Sequence, residues 1–164
     1  MRVKTGADKV TPIKAHVLVI ESRYYDAVGE ALLDGAVAAL VEAGATHERI
    51  EVPGALEIPQ AFQAYAVAGR FEGTGAGHFD GAIVLGCVIR GETSHYDIVC
   101  NNANHWLMET AIARGIPVGN AILTVDTEAQ ALVRAKGGSA GKGGDAVRAC
   151  LSLVALKRAL AGVA

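Results

Sequence analysis

Asp80-Gly81-Ala82-Ile83-Val84-Leu85-Gly86-Cys87-Val88-Ile89 is the stretch on which the fold turns. After one acid it is nearly all apolar, the pattern of a strand covered on both faces in a parallel sheet, so it reads as the central strand. Working outward toward the N-terminus, His16 to Glu21 (HVLVIE) is a short β-branched strand. Ala27 to Ala43 then places Val28, Leu32, Ala36, Ala39, Leu40 and Ala43 at helical spacing. Gly44 closes that helix, and His47 to Val52 forms a second strand stopped by Pro53 and Gly54. A helix over about Glu57 to Ala68 follows. Toward the C-terminus come a helix from Tyr96 to Arg114, a strand from Pro117 to Thr124, a helix from Thr127 to Lys136, a glycine-rich bend and a last helix from Asp145 to Leu160. Gly69 to Phe79 carries four glycines and no apolar period, and is expected to be a flexible surface loop.

Strand and helix alternate throughout, which predicts a doubly wound α/β sandwich of about four parallel strands with right-handed crossovers. No internal repeat is visible, and the chain reads as a single domain over residues 1–164, with a polar leader over 1–14. The 164 residues, 51% hydrophobic and 20% charged, can supply a core without disulfides or a structural metal. A net charge of −2 argues against nucleic acid and anionic membrane as partners. No apolar run is long enough to span a bilayer, and residues 1–11 lack the apolar core of a signal peptide, so a cytoplasmic location is expected. Cys87, Cys100 and Cys150 are odd in number and far apart, as expected for reduced core thiols.

Ligands of such a sheet lie beyond the carboxyl ends of the strands. The third strand runs directly into Arg90-Gly91-Glu92-Thr93-Ser94-His95-Tyr96-Asp97. Ser94 and Asp97 fit a capping box, and the segment reads either as an ordinary cap or as an anion site in which Thr93 holds a phosphate oxygen. His95 falls in the first helical turn, where the dipole keeps imidazole neutral and able to accept a proton. Glu57 starts a helix on the same edge and suits either the helix dipole or ligand hydroxyls. Tyr24 and Tyr25 could face a planar heterocycle or the core, and Arg134 sits late in a helix, where a cation suits the dipole. No His or Cys spacing matches a zinc site, and no metal is expected. Gly137 to Gly144 (GGSAGKGG) is not a phosphate loop, because it follows a helix and has Gly143 where a magnesium-binding hydroxyl belongs.

Three segments taken together, Val52-Pro53-Gly54-Ala55-Leu56-Glu57-Ile58-Pro59, Gly86 through Asp97, and Pro117-Val118 with Leu123-Thr124, resemble the 6,7-dimethyl-8-ribityllumazine synthase family over nearly the whole chain. The resemblance implies the flavodoxin-like three-layer form of the sandwich, a four-stranded parallel sheet flanked by helices. It also implies a transferase of riboflavin biosynthesis that condenses 5-amino-6-ribitylamino-2,4-pyrimidinedione with 3,4-dihydroxy-2-butanone 4-phosphate. In that reading Tyr24 stacks on the pyrimidinedione, Ala55, Leu56 and Glu57 line the ribityl chain, and Cys87, Val88 and Ile89 meet the heterocycle. Glu92 and Thr93 form the phosphate site with Arg134, which acts across a subunit boundary. Asn120 lies near the neighbouring ring, and His95 shuttles protons. No metal, flavin or nicotinamide cofactor is implied. The partners implied are the small-molecule substrates and further copies of the chain, as a homopentamer that in some relatives closes into a decamer or 60-subunit shell. The length of the bend from Lys136 to Gly144 leans toward a shell, and the helix from Asp145 to Leu160 suits packing between subunits or against its own sheet.

Several positions depart from the family's pattern. Tyr24-Tyr25 stands where Phe-Asn or Trp-Asn is common, Leu56 where Phe is frequent, and Gly138 where a lysine is often found. The loop from Gly69 to Phe79 is also longer than the family pattern. These departures keep open an alternative, a low-turnover flavin- or lumazine-binding or storage homologue. A flavodoxin-like electron carrier is the further rival, but no hydroxyl-rich phosphate loop follows the first strand.

Overall fold

The central apolar run forms a strand because both of its faces are covered. A computed structural model describes residues 11–162. In chain order these give β1 (His16–Ser22), α1 (Asp26–Ala43), β2 (Thr46–Val52), α2 (Glu57–Val67), β3 (Gly81–Ile89), α3 (His95–Arg114), β4 (Val118–Val125), α4 (Glu128–Ala135), a 3-10 turn (Gly138–Ala140) and α5 (Lys142–Leu160). The four strands make one parallel sheet in the order β2-β1-β3-β4, with β1 in register against both β2 and β3, and β3 against β4. One face carries α1, α4 and α5 over Val17, Val19, Ile83 and Leu85. The other carries α2 and α3 over Leu18, Ile20, Ala82 and Val84. This is the expected three-layer sandwich, and the chain's winding reverses between β1 and β3, the edge where such sheets bind ligands. No helix among the described residues is long and apolar enough to cross a membrane.

The polar leader is described only from residue 11, and its first ten positions lie outside the described residues. Within the rest of it, the Ile13 amide donates to the Ala43 carbonyl (2.9 Å) and the side chain packs on the core.

Three local expectations are corrected. The segment from Gly69 to Phe79 is a surface loop exposed over residues 72–76, but it is anchored: Phe71 and Phe79 are buried, the Phe79 amide donates to the Arg70 carbonyl (2.8 Å), and the Arg70 guanidinium lies 5.1 Å from the Phe79 ring centroid. Two phenylalanines inserted in a glycine-rich stretch anchor it without any helical or strand period. The last helix begins at Lys142 instead of Asp145, taking in glycines that weaken a helix by propensity alone. Gly143 is required there by close approach, since a Cβ would lie 2.0 Å from the Leu32 carbonyl oxygen of α1. The glycine-rich bend therefore lets α5 dock on α1, and the apolar stripe of α5 (Val147, Cys150, Leu151, Val154) faces its own sheet. Finally, the Ser94 side chain makes no cap hydrogen bond; the acceptor at the head of α3 is Thr93 Oγ1, which receives the His95 amide at 3.4 Å.

Candidate active site

Parallel strands deliver their following loops to one rim, and here that rim closes a cavity of about 330 Å³. Tyr24 and Tyr25 enter from the end of β1, residues 54–57 from the end of β2 and the first turn of α2, residues 87–89 from β3 itself, and Gly91, Thr93, His95, Tyr96 and Val99 from the β3–α3 loop and the first turns of α3. Of the residues expected from sequence, Tyr24, Ala55, Leu56, Glu57, Cys87, Val88, Ile89, Thr93 and His95 thus line a single pocket. Glu92, Asn120 and Arg134 do not line it. Glu92 is exposed on the loop beside Thr93. Asn120 Nδ2 donates to Asn104 Oδ1 (2.7 Å), and Arg134 donates to the Gln130 carbonyl (3.0 Å) on its own helix. No residue of α4 lines the pocket.

Tyr24 is 73% exposed, and its ring centroid lies 5.1 Å from that of Tyr25 at an interplanar angle of 70°. Tyr25 is half-buried and packs against the core, so it holds the more exposed ring edge-on at the cavity mouth. Tyr25 touches both the core and the cavity. Burial pushes its phenol up, with the neighbouring Cys87, Tyr24 and Glu128 adding to the effect. The Cys87 thiol is pushed up to about 11 by burial, then by Glu128 and Cys100. It therefore faces the cavity as a neutral, weakly polar group and not as a nucleophile. Cys87 and Cys150 are buried free thiols, while Cys100 on α3 is half-buried instead of in the core.

Glu57 opens α2, with its amide donating to the Gly54 carbonyl (3.2 Å) and its carboxylate folded back over Gly54. His95 is exposed at the first position of α3. At the adjacent end of β1, the fully buried Glu21 meets Arg23 (3.3 Å) and Arg49 (3.2 Å) through one carboxylate oxygen, Oε1, while Oε2 has no hydrogen-bond partner among the described residues. No group of three or more metal-ligating side chains occurs among the described residues.

Gly54, Gly91, Tyr96 and Val99 also line the cavity, and the sequence reading gave none of them a role. Val99 follows Tyr96 by one near-turn and shares its helix face, which is a legible signal once the start of α3 is fixed. Gly91 and Gly54 line the cavity with backbone, and nothing in their local sequence marks that.

The chemistry available is positioning with proton transfer: a carboxylate for hydroxyls, a ring for stacking, a hydroxyl and a helix start for an anion, and one imidazole. Residues 14–158 match the profile of the family described as 6,7-dimethyl-8-ribityllumazine synthase. The 6,7-dimethyl-8-ribityllumazine synthase 1 of Rhodopseudomonas palustris is 50% identical over 147 residues, 90% of this chain and 88% of the relative. The 6,7-dimethyl-8-ribityllumazine synthase of Agrobacterium fabrum is 47% identical over 149 residues, covering 91% and 99%. That of Methylorubrum extorquens strain PA1 is 52% identical over 143 residues, covering 87% and 81%. With its sheet order, its rim pocket and a match spanning nearly all its length, this chain belongs to the 6,7-dimethyl-8-ribityllumazine synthase family.

Proposed function

We propose that the protein condenses 5-amino-6-ribitylamino-2,4-pyrimidinedione with 3,4-dihydroxy-2-butanone 4-phosphate, releasing phosphate and two waters. The observation that carries this reading is the convergence of Glu57, Thr93 and His95, from two separate strand ends, on the one cavity that Tyr24 overhangs. Glu57 accepts the ribityl hydroxyls beside Ala55 and Leu56, Tyr24 stacks on the ring, and residues 87–89 bound its edge. Thr93, with Glu92 beside it, receives the phosphate together with Arg134 of an adjacent copy, and Asn120 of that copy approaches the ring. The substrate's amine is itself the nucleophile and phosphate is a good leaving group, so holding the two substrates together supplies most of the acceleration. The amine adds to the ketone, water leaves to give an imine, phosphate is eliminated, and ring closure expels the second water. His95 moves protons between these steps.

We assign the whole chain to one domain that assembles as a homopentamer, with a decamer or a 60-subunit shell as larger states. Exposed Ile98, Trp106 and Ile112 on α3 support a covered helix face in the assembly. A cytoplasmic location is supported by three free cysteines, as in a reducing compartment. The test is direct: purified protein mixed with both substrates is expected to produce lumazine absorbance at a catalytic rate. Tight retention of a lumazine or flavin with only stoichiometric product would favour a storage homologue instead. Native mass measurement is expected to give a multiple of five chains.

A further inference from the structure

The rim loop that carries Thr93 is exposed throughout residues 90–95. Among the described residues, the side chains of residues 91–94 make a single hydrogen bond, from the His95 amide to Thr93 Oγ1, which stays within the segment. What ties this loop to the rest of the fold is Arg90. Its amide donates to the Val125 carbonyl (2.9 Å), and its Nε donates to Asp126 Oδ1 (2.9 Å), just beyond the end of β4. Its guanidinium carbon lies 4.2 Å from the centroid of the Tyr96 ring, which lines the cavity, and Asp97 is 3.9 Å away. Beyond Asp126 the connection continues without a gap. The Asp126 amide donates to Gln130 Oε1 (2.9 Å), the Gln130 amide to Thr127 Oγ1 (3.2 Å), and Arg134 to the Gln130 carbonyl (3.0 Å).

We propose that Arg90 is a positioning residue for the pocket, bracketing the Tyr96 wall to Asp126 at the head of α4 so that the intervening loop presents Thr93 in one place. A planar guanidinium can stack on a ring while donating in its own plane, which an ammonium cannot do. This role rests on the reading of Thr93 as the phosphate-binding hydroxyl. An exposed ion pair contributes little to global stability, so the bracket acts on loop geometry and not on folding.

The test is steady-state kinetics of the full-length protein and of Arg90→Gln, Asp126→Asn and the double variant, with each substrate varied in turn. Each single variant is expected to raise KM for 3,4-dihydroxy-2-butanone 4-phosphate roughly 2–5-fold. The pyrimidinedione KM and the melting temperature stay unchanged, kcat stays within twofold, and the double variant is no worse than Arg90→Gln alone. Additive effects, an unmoved butanone-phosphate KM, or both KM values rising alongside a lower melting temperature would overturn the role of Arg90 while leaving the activity intact. No turnover by the unaltered protein would overturn the activity itself, and the bracket with it.

Discussion

Gly54→Ala is expected to displace the Glu57 carboxylate and little else. A Cβ at position 54 would stand 2.9 Å from Glu57 Oε2, with no other atom within 4 Å, and Gly54 is not among the glycines with positive φ. Alanine is therefore permitted by the backbone, and the carboxylate, the free end of a flexible side chain, must give way. The cost to stability is expected to be within about 0.5 kcal/mol, or a melting-temperature change of about 2 °C or less. The cost to binding is larger. A hydrogen bond to a charged group contributes about 1.5–3 kcal/mol, and losing about half of it corresponds to roughly a 3–12-fold rise in KM. The assay varies the pyrimidinedione at saturating butanone phosphate and follows lumazine absorbance, with Glu57→Gln as the comparison. A rise in pyrimidinedione KM with kcat and melting temperature nearly unchanged is expected. An unchanged KM would show that the Glu57 carboxylate does not meet the ribityl chain in this position.

His95→Ala is expected to lower kcat by about 100-fold without changing the melting temperature, because the side chain is exposed at the helix start. Arg134→Ala is expected to act mainly on the butanone phosphate, raising its KM roughly tenfold through loss of a charge-assisted contact; equal rates in both variants and the parent would remove these assignments. Since the Cys87 thiol is raised from 9.0 to about 11, it stays protonated until the pH nears that value. At pH 8 its alkylation by iodoacetamide, read by peptide mass, should be on the order of 100-fold slower than that of an unshifted thiol, and should accelerate as pH rises toward 11. Fast labelling at neutral pH would contradict the burial argument. Gly143→Ala would place a Cβ 2.0 Å from the Leu32 carbonyl oxygen and 3.0 Å from the Ala36 amide. Forcing α1 and α5 apart is expected to cost about 3 kcal/mol, a fall of roughly 6–12 °C in melting temperature, and an unchanged thermal transition would refute the close-approach account.

The strands and the binding edge were legible because they depend on short-range pattern. The run from Gly81 to Ile89 is apolar on both faces wherever it is placed in a doubly wound sheet, and strand ends in such a sheet converge on one rim. What escaped the sequence depends on contacts between distant segments. The start of α5 at Lys142 is explained by the backbone of α1 pressing on Gly143, and local propensity points the other way. The cap at Thr93 instead of Ser94 follows from the turn geometry at the end of β3, since Ser94 is already helical in φ and ψ. Order in the segment from Gly69 to Phe79 comes from Phe71 and Phe79 reaching a core built by other elements. Within the site, side chains announced themselves through their chemistry, as with Glu57 and His95. Residues that contribute backbone, such as Gly54 and Gly91, did not, and neither did the pairing of Arg90 with Asp126 across 36 positions. Asn120 and Arg134 do not line the pocket of their own chain, so the part proposed for them needs a second copy.

One rim is expected to hold both substrates and to carry the four-carbon phosphate through elimination. The most direct measurement follows lumazine formation and inorganic phosphate release together in the same reaction. Equal amounts of the two, over many turnovers and only when both substrates are present, are predicted; phosphate without lumazine, or no product beyond the amount of protein, would contradict the account.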